Sequence, residues 1–431
     1  MSQISQVTEV FPYPLNDYNF PNLTDSRKEK LMIYQYTLRA ICYLYIALLK
    51  TASKLRKRKR ERRAKLEILI TGTFYSDNWI ITHLKPLAMS DEVARVRMVS
   101  IQDVPPMEKV EGIYPPRSLI KLVGGVPARW LYFVWMGFKT KPDIMGGFHL
   151  LINGLLAILC AKILGIESLY ICGGGPREVE GGGIETESKI FNRLNEPDEK
   201  IEKYLLTAVD ACDLVIVMGT GASKYFSSKG VEARIEIVPG GFDSDKYKPA
   251  ALNKEYDLIL VGRLSKVKRV EILLQAIANL HKDHINVTAV IVGDGPDASI
   301  LKEMAQSLGI LQSVHFAGWQ NNVHEWMAKS RIFALTSESE GLSQALIQGM
   351  MSGLPAVVTD IGDLSDLVKD GANGYLIEDL DPEKFSQAYG KLLRDDKLYE
   401  TMSDRAFRDT QKYSYSRVAQ QWDEILITQQ K

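Results

Sequence analysis

From Leu66 onward the chain alternates short apolar runs with amphipathic ones, and it does so in two separate series. "LEILITG" (66–72), "PDIMGG" (142–147), "ESLYIC" (167–172) and "DLVIVMG" (213–219) read as buried strands bounded by turn signals. Between them, "LLINGLLAILCAKILG" (150–165) and "DEKIEKYLLTAVDAC" (198–212) have the length and pattern of helices. The second series runs "YDLILVG" (256–262), "NVTAVIVG" (286–293), "VHFAG" (314–318), "RIFALTS" (331–337) and "PAVVTD" (355–360), with helices expected at 269–281, 297–308, 321–329 and 342–352. Strands that are apolar throughout need both faces covered, which helices between parallel strands provide. The Pro-, Gly- and Asp-rich stretch "VPGGFDSDKYKPAALNKE" (238–255) breaks the periodicity between the series and reads as a linker. The expected fold class is therefore α/β: two doubly wound Rossmann-like domains facing a cleft, with an N-terminal helical extension. Ligands in such folds sit beyond the carboxyl ends of the strands. The expected divisions are an extension at 1–65, a first domain at 66–250, a second at 251–410, and a closing helix at 411–431.

Length and charge agree with this division. A chain of 431 residues exceeds one ordinary core, and two domains follow. The 53 basic and 53 acidic residues cancel, so the chain lacks the overall basic character of a nucleic-acid binder. Cys42, Cys160, Cys172 and Cys212 are scattered without metal-ligand spacing and read as buried apolar residues in a reducing compartment. Residues 1–25 are polar, without the pattern of a cleavable signal, which favours the cytoplasm.

The balanced total hides one asymmetry. "LMIYQYTLRAICYLYIALLK" (31–50) is apolar apart from Gln35, Thr37, Arg39 and its last lysine, and "KLRKRKRERRAK" (54–65) follows with nine basic residues and one acid. The first stretch has about the ~20 residues needed to span a bilayer. Arg39 near its middle argues against spanning, since a central arginine costs roughly 2.5–3.5 kcal/mol on insertion. Two readings stay open. In one, an interfacial helix and its basic sequel (31–65) meet an anionic membrane surface at its inner face. In the other, the helix docks on the protein and the charged run is simply solvated.

Residues able to bind a ligand cluster at expected strand ends. In "VGRLSKVKR", Arg263 and Lys268 lie five apart after a strand and suit a diphosphate, the guanidinium by forked hydrogen bonds and the lysine as a point charge. Ordinary surface charges in a loop read the same way. In "SESEGLSQALIQGMMSGLPAVVTD" (337–360), a turn leads into a helix whose N-terminus offers free N–H groups beyond a strand. Gly341 permits close approach to the backbone there, and Glu340 can accept from sugar hydroxyls. Gln348, roughly 12 Å further along the helix axis at 1.5 Å per residue, can hydrogen-bond a diol without a carboxylate's charge.

These runs resemble the retaining glycosyltransferases of family 4 (glycosyl transferases group 1), which have the GT-B fold. The resemblance extends from about Leu66 to the C-terminus and is densest after Pro239. "VGRLSKVKRVEILLQAI" is similar to the family's donor-phosphate loop, which places Arg263 and Lys268 on the donor diphosphate. "AVIVGDGPDASILKEMAQSLGILQSVHFAGW" implies that Gly318 and Trp319 lie near the nucleotide base. "SESEGLSQALIQGMMSG" resembles the signature with two glutamates eight apart: the first, on the donor sugar, is Glu340, and the second, on the ribose, falls on Gln348. Gly341, Leu342 and Ser343 complete the implied donor-binding set, with Arg263, Lys268 and Glu340 as its catalytic members. "VPGGFDSDKYKP" resembles the linker motif, with Gly240 where Asn is usual and Asp243 in register.

The first half departs further. Many family members carry a histidine after the strand matching "SLYIC", whereas "CGGGPREVEGGG" puts Gly173 there. His149 in "GGFHLL" ends another strand facing the same cleft, so His149, Gly173 and Gly174 form the acceptor-side candidates. The glycine-rich run reads either as a loop that orders on the acceptor or as a plain flexible loop.

The resemblance implies glycosyl transfer from a nucleoside-diphosphate sugar to a hydroxyl of a glycan or lipid-linked acceptor. Configuration is retained, and there is no cofactor, no metal and no nucleic-acid partner. Two alternatives stand beside it: a non-catalytic glycosyltransferase-like scaffold, suggested by Gln348 and the missing histidine, and another GT-B enzyme such as a sugar-nucleotide epimerase or a phosphorylase.

Overall fold

The computed structural model describes residues 25–55, 63–74, 76–186, 188–250 and 253–428. Part of the basic run expected at 54–65, residues 56–62, lies outside the described residues.

Two parallel sheets form the frame. The first contains β1 (Leu66–Thr71), β2 (Val93–Val99), β3 (Val110–Ile113), β4 (Ile144–Phe148), β5 (Glu167–Cys172), β6 (Leu214–Val217) and β7 (Ile235–Ile237). The second contains β8 (Tyr256–Val261), β9 (Ala289–Val292), β10 (Val314–Gly318), β11 (Ser330–Leu335), β12 (Ala356–Thr359) and β13 (Gly374–Ile377). Their spatial orders are β3-β2-β1-β4-β5-β6-β7 and β10-β9-β8-β11-β12-β13. Each sheet therefore reverses direction once, between β1 and β4 and between β8 and β11. That reversal splays the flanking connections apart and leaves a crevice at the strand ends.

The central strands are buried on both faces, as their unbroken apolar sequences require. Alternate residues feed different layers: Leu169 and Ile171 of β5 pack towards helix Asp77–Met89, while Tyr170 and Cys172 pack towards helices Leu155–Leu164 and Glu199–Asp210. All four cysteines are buried and free.

Four strands escaped the sequence reading. Val93–Val99 alternates apolar and charged residues, and Val110–Ile113 is short and half-exposed at the sheet edge. Ile235–Ile237 and Gly374–Ile377 are also edge strands, too short to stand out as apolar runs. The helix beginning after "GGFH" also differs, since regular α-helix starts only at Leu155 after an irregular turn at Leu150–Gly154.

The N-terminal helix Asp25–Leu55 lies on the first domain. Leu38, Cys42, Ile46 and Leu49, spaced by four, four and three, are buried against helices Leu155–Leu164 and Glu199–Asp210. Arg39 does not face an apolar medium, because its Nε bonds Asp198 at 2.8 Å, and Gln35 reaches the same carboxylate oxygen at 2.8 Å. That ion pair, with Asp198 fully covered, fixes the helix on the fold.

Three contacts join the domains. The last helix, Tyr415–Thr428, packs Val418, Trp422, Ile425 and Leu426 into the core beneath β1, and Asp423 accepts from Ser90 Oγ at 2.6 Å. Leu342 packs against the cores of both domains. Thirdly, the free N–H groups that open helix Thr220–Ser228 are met by carboxylates from across the cleft. Asp366 accepts from Thr220 N and Oγ1 at 2.7 Å each, and Asp363 from Gly221 N at 2.6 Å. Negative charge at a helix N-terminus is favourable. Burial, with Asp366 nearby, nevertheless keeps the Asp363 carboxyl above its usual range, against the pull of the Gly221 N–H.

Candidate active site at the strand ends

Of the residues singled out in the second half, Arg263, Lys268 and Glu340 to Ser343 flank the crevice between β8 and β11. Arg263 and Lys268 follow β8, while Glu340 to Ser343 follow β11. Lys268 Nζ and the Glu340 carboxylate form a close ion pair, and Ser337 Oγ donates to the same Glu340 oxygen at 2.7 Å. Behind them the two loops are stapled together: Thr336 Oγ1 donates to the Arg269 carbonyl at 2.9 Å, Glu338 N to the Val267 carbonyl at 2.9 Å, and Arg269 bridges to Glu338 at 3.1 Å. Arg269, not singled out from the sequence, is thus a structural clamp; its left-handed backbone (φ 46°) turns the chain into the next helix.

Arg263 is exposed at the mouth. Gly341 is exposed too, and a side chain there would meet open space. The helix after it begins at Gln344, two residues later than expected, because Ser343 caps it, its Oγ accepting from Leu346 N. Gly341 and Leu342 therefore belong to the loop, and the helix N-terminus opens beside Glu340. Gln348 is 8% exposed on that helix. Gly318 and Trp319 stand at the end of β10, two strands from β8; Trp319 is 71% exposed.

Gly362 sets the height of this floor. Its left-handed backbone (φ +53°) passes directly under the Glu340 carbonyl, where any Cβ would overlap the oxygen.

The first-domain crevice, between β1 and β4, holds the other candidates. His149 follows β4, and its Nδ1 lies 2.8 Å from Glu178 Oε1. Glu178 is buried and accepts three further hydrogen bonds: Leu150 N at 2.6 Å, Tyr170 Oη at 2.8 Å and Gly174 N at 2.5 Å. Burial alone would raise its carboxyl, but His149 and the backbone donors outweigh burial and hold it below the ordinary range. Gly173 and Gly174 are thereby part of an anchored turn rather than a free loop. A Cβ at Gly173 would come within 2.7 Å of Trp79 and 2.9 Å of the His149 ring, so that ring occupies the space a side chain at 173 would need.

Glu178 and the buried Arg129 were missed in the sequence. Arg129 donates to the Gly72 carbonyl, and at 3.0 Å to Thr73 Oγ1 and Asn153 Oδ1, fixing the turn after β1. The signal for Glu178 was available: one of two acids in a glycine-rich stretch that follows the strand next to the one ending at His149. A groove lined by Glu180, Ile184, Pro197, Glu202, Leu206 and Lys229 opens on the flank of this domain and contains none of these residues.

Comparison with known proteins agrees with this geometry. Residues 242–409 match the family described as Glycosyl transferases group 1. Over 182 residues the chain is 30% identical to N-acetyl-alpha-D-glucosaminyl L-malate synthase of Bacillus anthracis, covering 40% of this chain and 48% of that protein. It is 24% identical over 331 residues to the amylovoran biosynthesis glycosyltransferase AmsD of Erwinia amylovora, covering 74% and 86%. Among solved structures, Anabaena Alr3699/HepE in complex with UDP superposes with a TM-score of 0.65 at 20% identity, covering 84% of this chain and 100% of that one. For several curated relatives the match spans about half of their length. Residues 242–409 are thus similar to a group 1 glycosyltransferase domain, and the two facing doubly wound sheets have the GT-B fold.

Proposed function

We propose that this protein transfers a sugar from a nucleoside-diphosphate sugar to a hydroxyl of a glycan or lipid-linked acceptor, with retention of configuration and without a metal or cofactor. The observation that carries the reading is the Lys268–Glu340 pair at the switch point of the second sheet, with exposed Arg263 on the same loop as Lys268 and helix Gln344–Met351 starting just after Glu340. The first domain (66–250) takes the acceptor and the second (251–410) the donor, with 411–431 returning to the first. Work is done at the cytoplasmic face of a membrane, which residues 31–65 touch.

The difficult step is breaking the glycosidic C–O bond, which leaves charge on the departing diphosphate. Arg263, Lys268 and the N–H groups around Gly341–Ser343 meet that charge with donors already in place. Before donor binds, Glu340 neutralises Lys268; when phosphate takes the lysine, Glu340 is released to accept from sugar hydroxyls. The acceptor's proton passes to the leaving phosphate, so no protein base is needed. His149, oriented by Glu178, lines the acceptor side.

Calorimetric titration with UDP, GDP, ADP and CMP in the absence of added metal tests the donor site. UDP is expected to bind saturably, in line with the UDP-bound structural neighbours. Binding should vanish in Arg263→Ala. If no nucleotide binds, the catalytic reading falls and the scaffold reading, motivated by Gln348, takes its place.

Gln348→Glu tests the ribose contact. A carboxylate on this buried face tightens nucleotide binding yet costs the free protein about 1–3 kcal/mol through desolvation. The expected result is a lower melting temperature without UDP and a larger UDP-induced rise. Weaker binding than wild type would refute the assignment.

A further inference from the structure

Between Leu31 and Leu49 the N-terminal helix is apolar apart from Gln35, Thr37 and Arg39, although only one side of it is covered. Opposite the buried Leu38–Leu49 seam, Ile33, Ile41, Leu44 and Leu48 are 56–60% exposed, and Tyr36 is 63% exposed. Helices with no polar face belong inside a protein or against lipid. A second stripe lies on helix Gly125–Thr140, where Leu131, Trp135 and Phe138, at i, i+4 and i+7, are 54%, 46% and 46% exposed.

Both stripes lie on the same side of the first sheet. Helix Gly125–Thr140 packs with Leu155–Leu164 over Leu69 and Met145, and the N-terminal helix rests on Leu155–Leu164 and its neighbour Glu199–Asp210. The opposite side is taken by helices Asp77–Met89 and Tyr415–Thr428. Ile163, on the helix between the two stripes, is itself 54% exposed.

Charge selects the occupant. The chain as a whole is neutral, but no acidic residue occurs between Lys30 and Leu55, nor between Gly112 and Pro142. The exposed charges in these two segments, among them Lys50, Lys54, Lys121 and Lys139, are basic. Lys139 Nζ sits 4.5 Å over the Trp135 ring, so an apolar body and a cationic tip are presented together. Tryptophan with lysine at the edge of an apolar stripe suits the headgroup level of a bilayer.

We propose that the outer face of helix Asp25–Leu55 and the Leu131–Trp135–Phe138 stripe together form a surface on which the first domain lies flat on an anionic lipid bilayer, without crossing it. This rests on the reading of residues 31–65 as membrane-contacting and extends it to a second element and an orientation. The Arg39–Asp198 pair holds the N-terminal helix parallel to the protein surface, so its apolar outer arc enters the interface sideways. An acceptor carried by that bilayer would reach the cleft from the same domain.

Flotation of the full-length protein with vesicles tests this, using phosphatidylcholine alone and phosphatidylcholine mixed with phosphatidylglycerol. Binding is expected to the mixed vesicles, to weaken as salt rises, and to be reversed by alkaline carbonate. The triple variant Leu131→Ser, Trp135→Ser, Phe138→Ser is expected to lower partitioning by about tenfold or more. In Trp135→Phe binding should persist while fluorescence quenching by brominated lipid falls. If the triple variant binds like wild type while Ile41→Ser with Leu44→Ser abolishes binding, the two-element surface is wrong and the N-terminal helix alone is the anchor. No binding to any vesicle overturns both readings. Resistance to carbonate would mean the helix spans. Self-association lost in the triple variant, without lipid binding, would make this face a protein interface.

Discussion

Replacing Arg263 with alanine is expected to lower turnover of a UDP-sugar by about 10²–10³-fold, the effect seen when one preorganised donor to developing negative charge is removed. Gln348→Ala should cost far less, about tenfold or under, because a neutral hydrogen bond contributes only about 1 kcal/mol. The contrast follows from position. Arg263 is exposed at the mouth of the β8–β11 crevice, so its loss leaves the core intact, and the variant should melt at the wild-type temperature. Single-turnover kinetics beside a thermal melt separate the two contributions. Equal and small effects of the two substitutions would remove the diphosphate role from Arg263.

Glu178→Ala is expected to destabilise the protein by about 3–5 kcal/mol, in the range for breaking a buried charged network from one side. Four donors converge on this carboxylate: His149, Leu150 N, Tyr170 Oη and Gly174 N. Each would be left facing a cavity with no acceptor. The sign of the pH dependence follows from the lowered carboxyl. Because the folded state holds it below the ordinary 4.5, its stabilisation is complete above that value and drains away as pH falls through the folded value. Urea melts from neutral to acidic pH should therefore show a loss of stability in the wild type that Glu178→Gln lacks in part. A cost below about 1 kcal/mol for Glu178→Ala at neutral pH would show that the network is not a structural keystone.

Much of this was readable in the sequence because strands buried on both faces cannot hide. β4, β5, β6 and β8 to β12 are near-continuous apolar runs, and each was found close to its observed limits. The missed strands either carry charged residues where they meet solvent, as Val93–Val99 does, or are three- to four-residue edge strands, so local pattern could not separate them from loops. Lys268 and Glu340, a pair in the structure, could be picked out from the sequence because each closely follows an apolar strand, β8 or β11. The Glu178 network could not, because Glu178 bonds residues after β4, on β5 and in the turn after β5, and only folding brings these together. Residues 31–50 show the same limit. Their composition left lipid and protein contact open, and the fold places protein on one side of the helix while leaving the other apolar.

One small feature ties the candidate site to the seam between the domains. Gly362 supports the Glu340 carbonyl, and the very next residue, Asp363, is seated on helix Thr220–Ser228 of the other domain. The seam contact is made by the Asp363 carboxylate, one residue beyond the backbone that runs close under the Glu340 carbonyl. The segment Gly362–Asp366 is thus shared: one end lies under the Glu340 turn, and its carboxylates at 363 and 366 cap a helix of the other domain. The turn that carries Glu340 and the seam between the domains are therefore neighbours along one short stretch of chain.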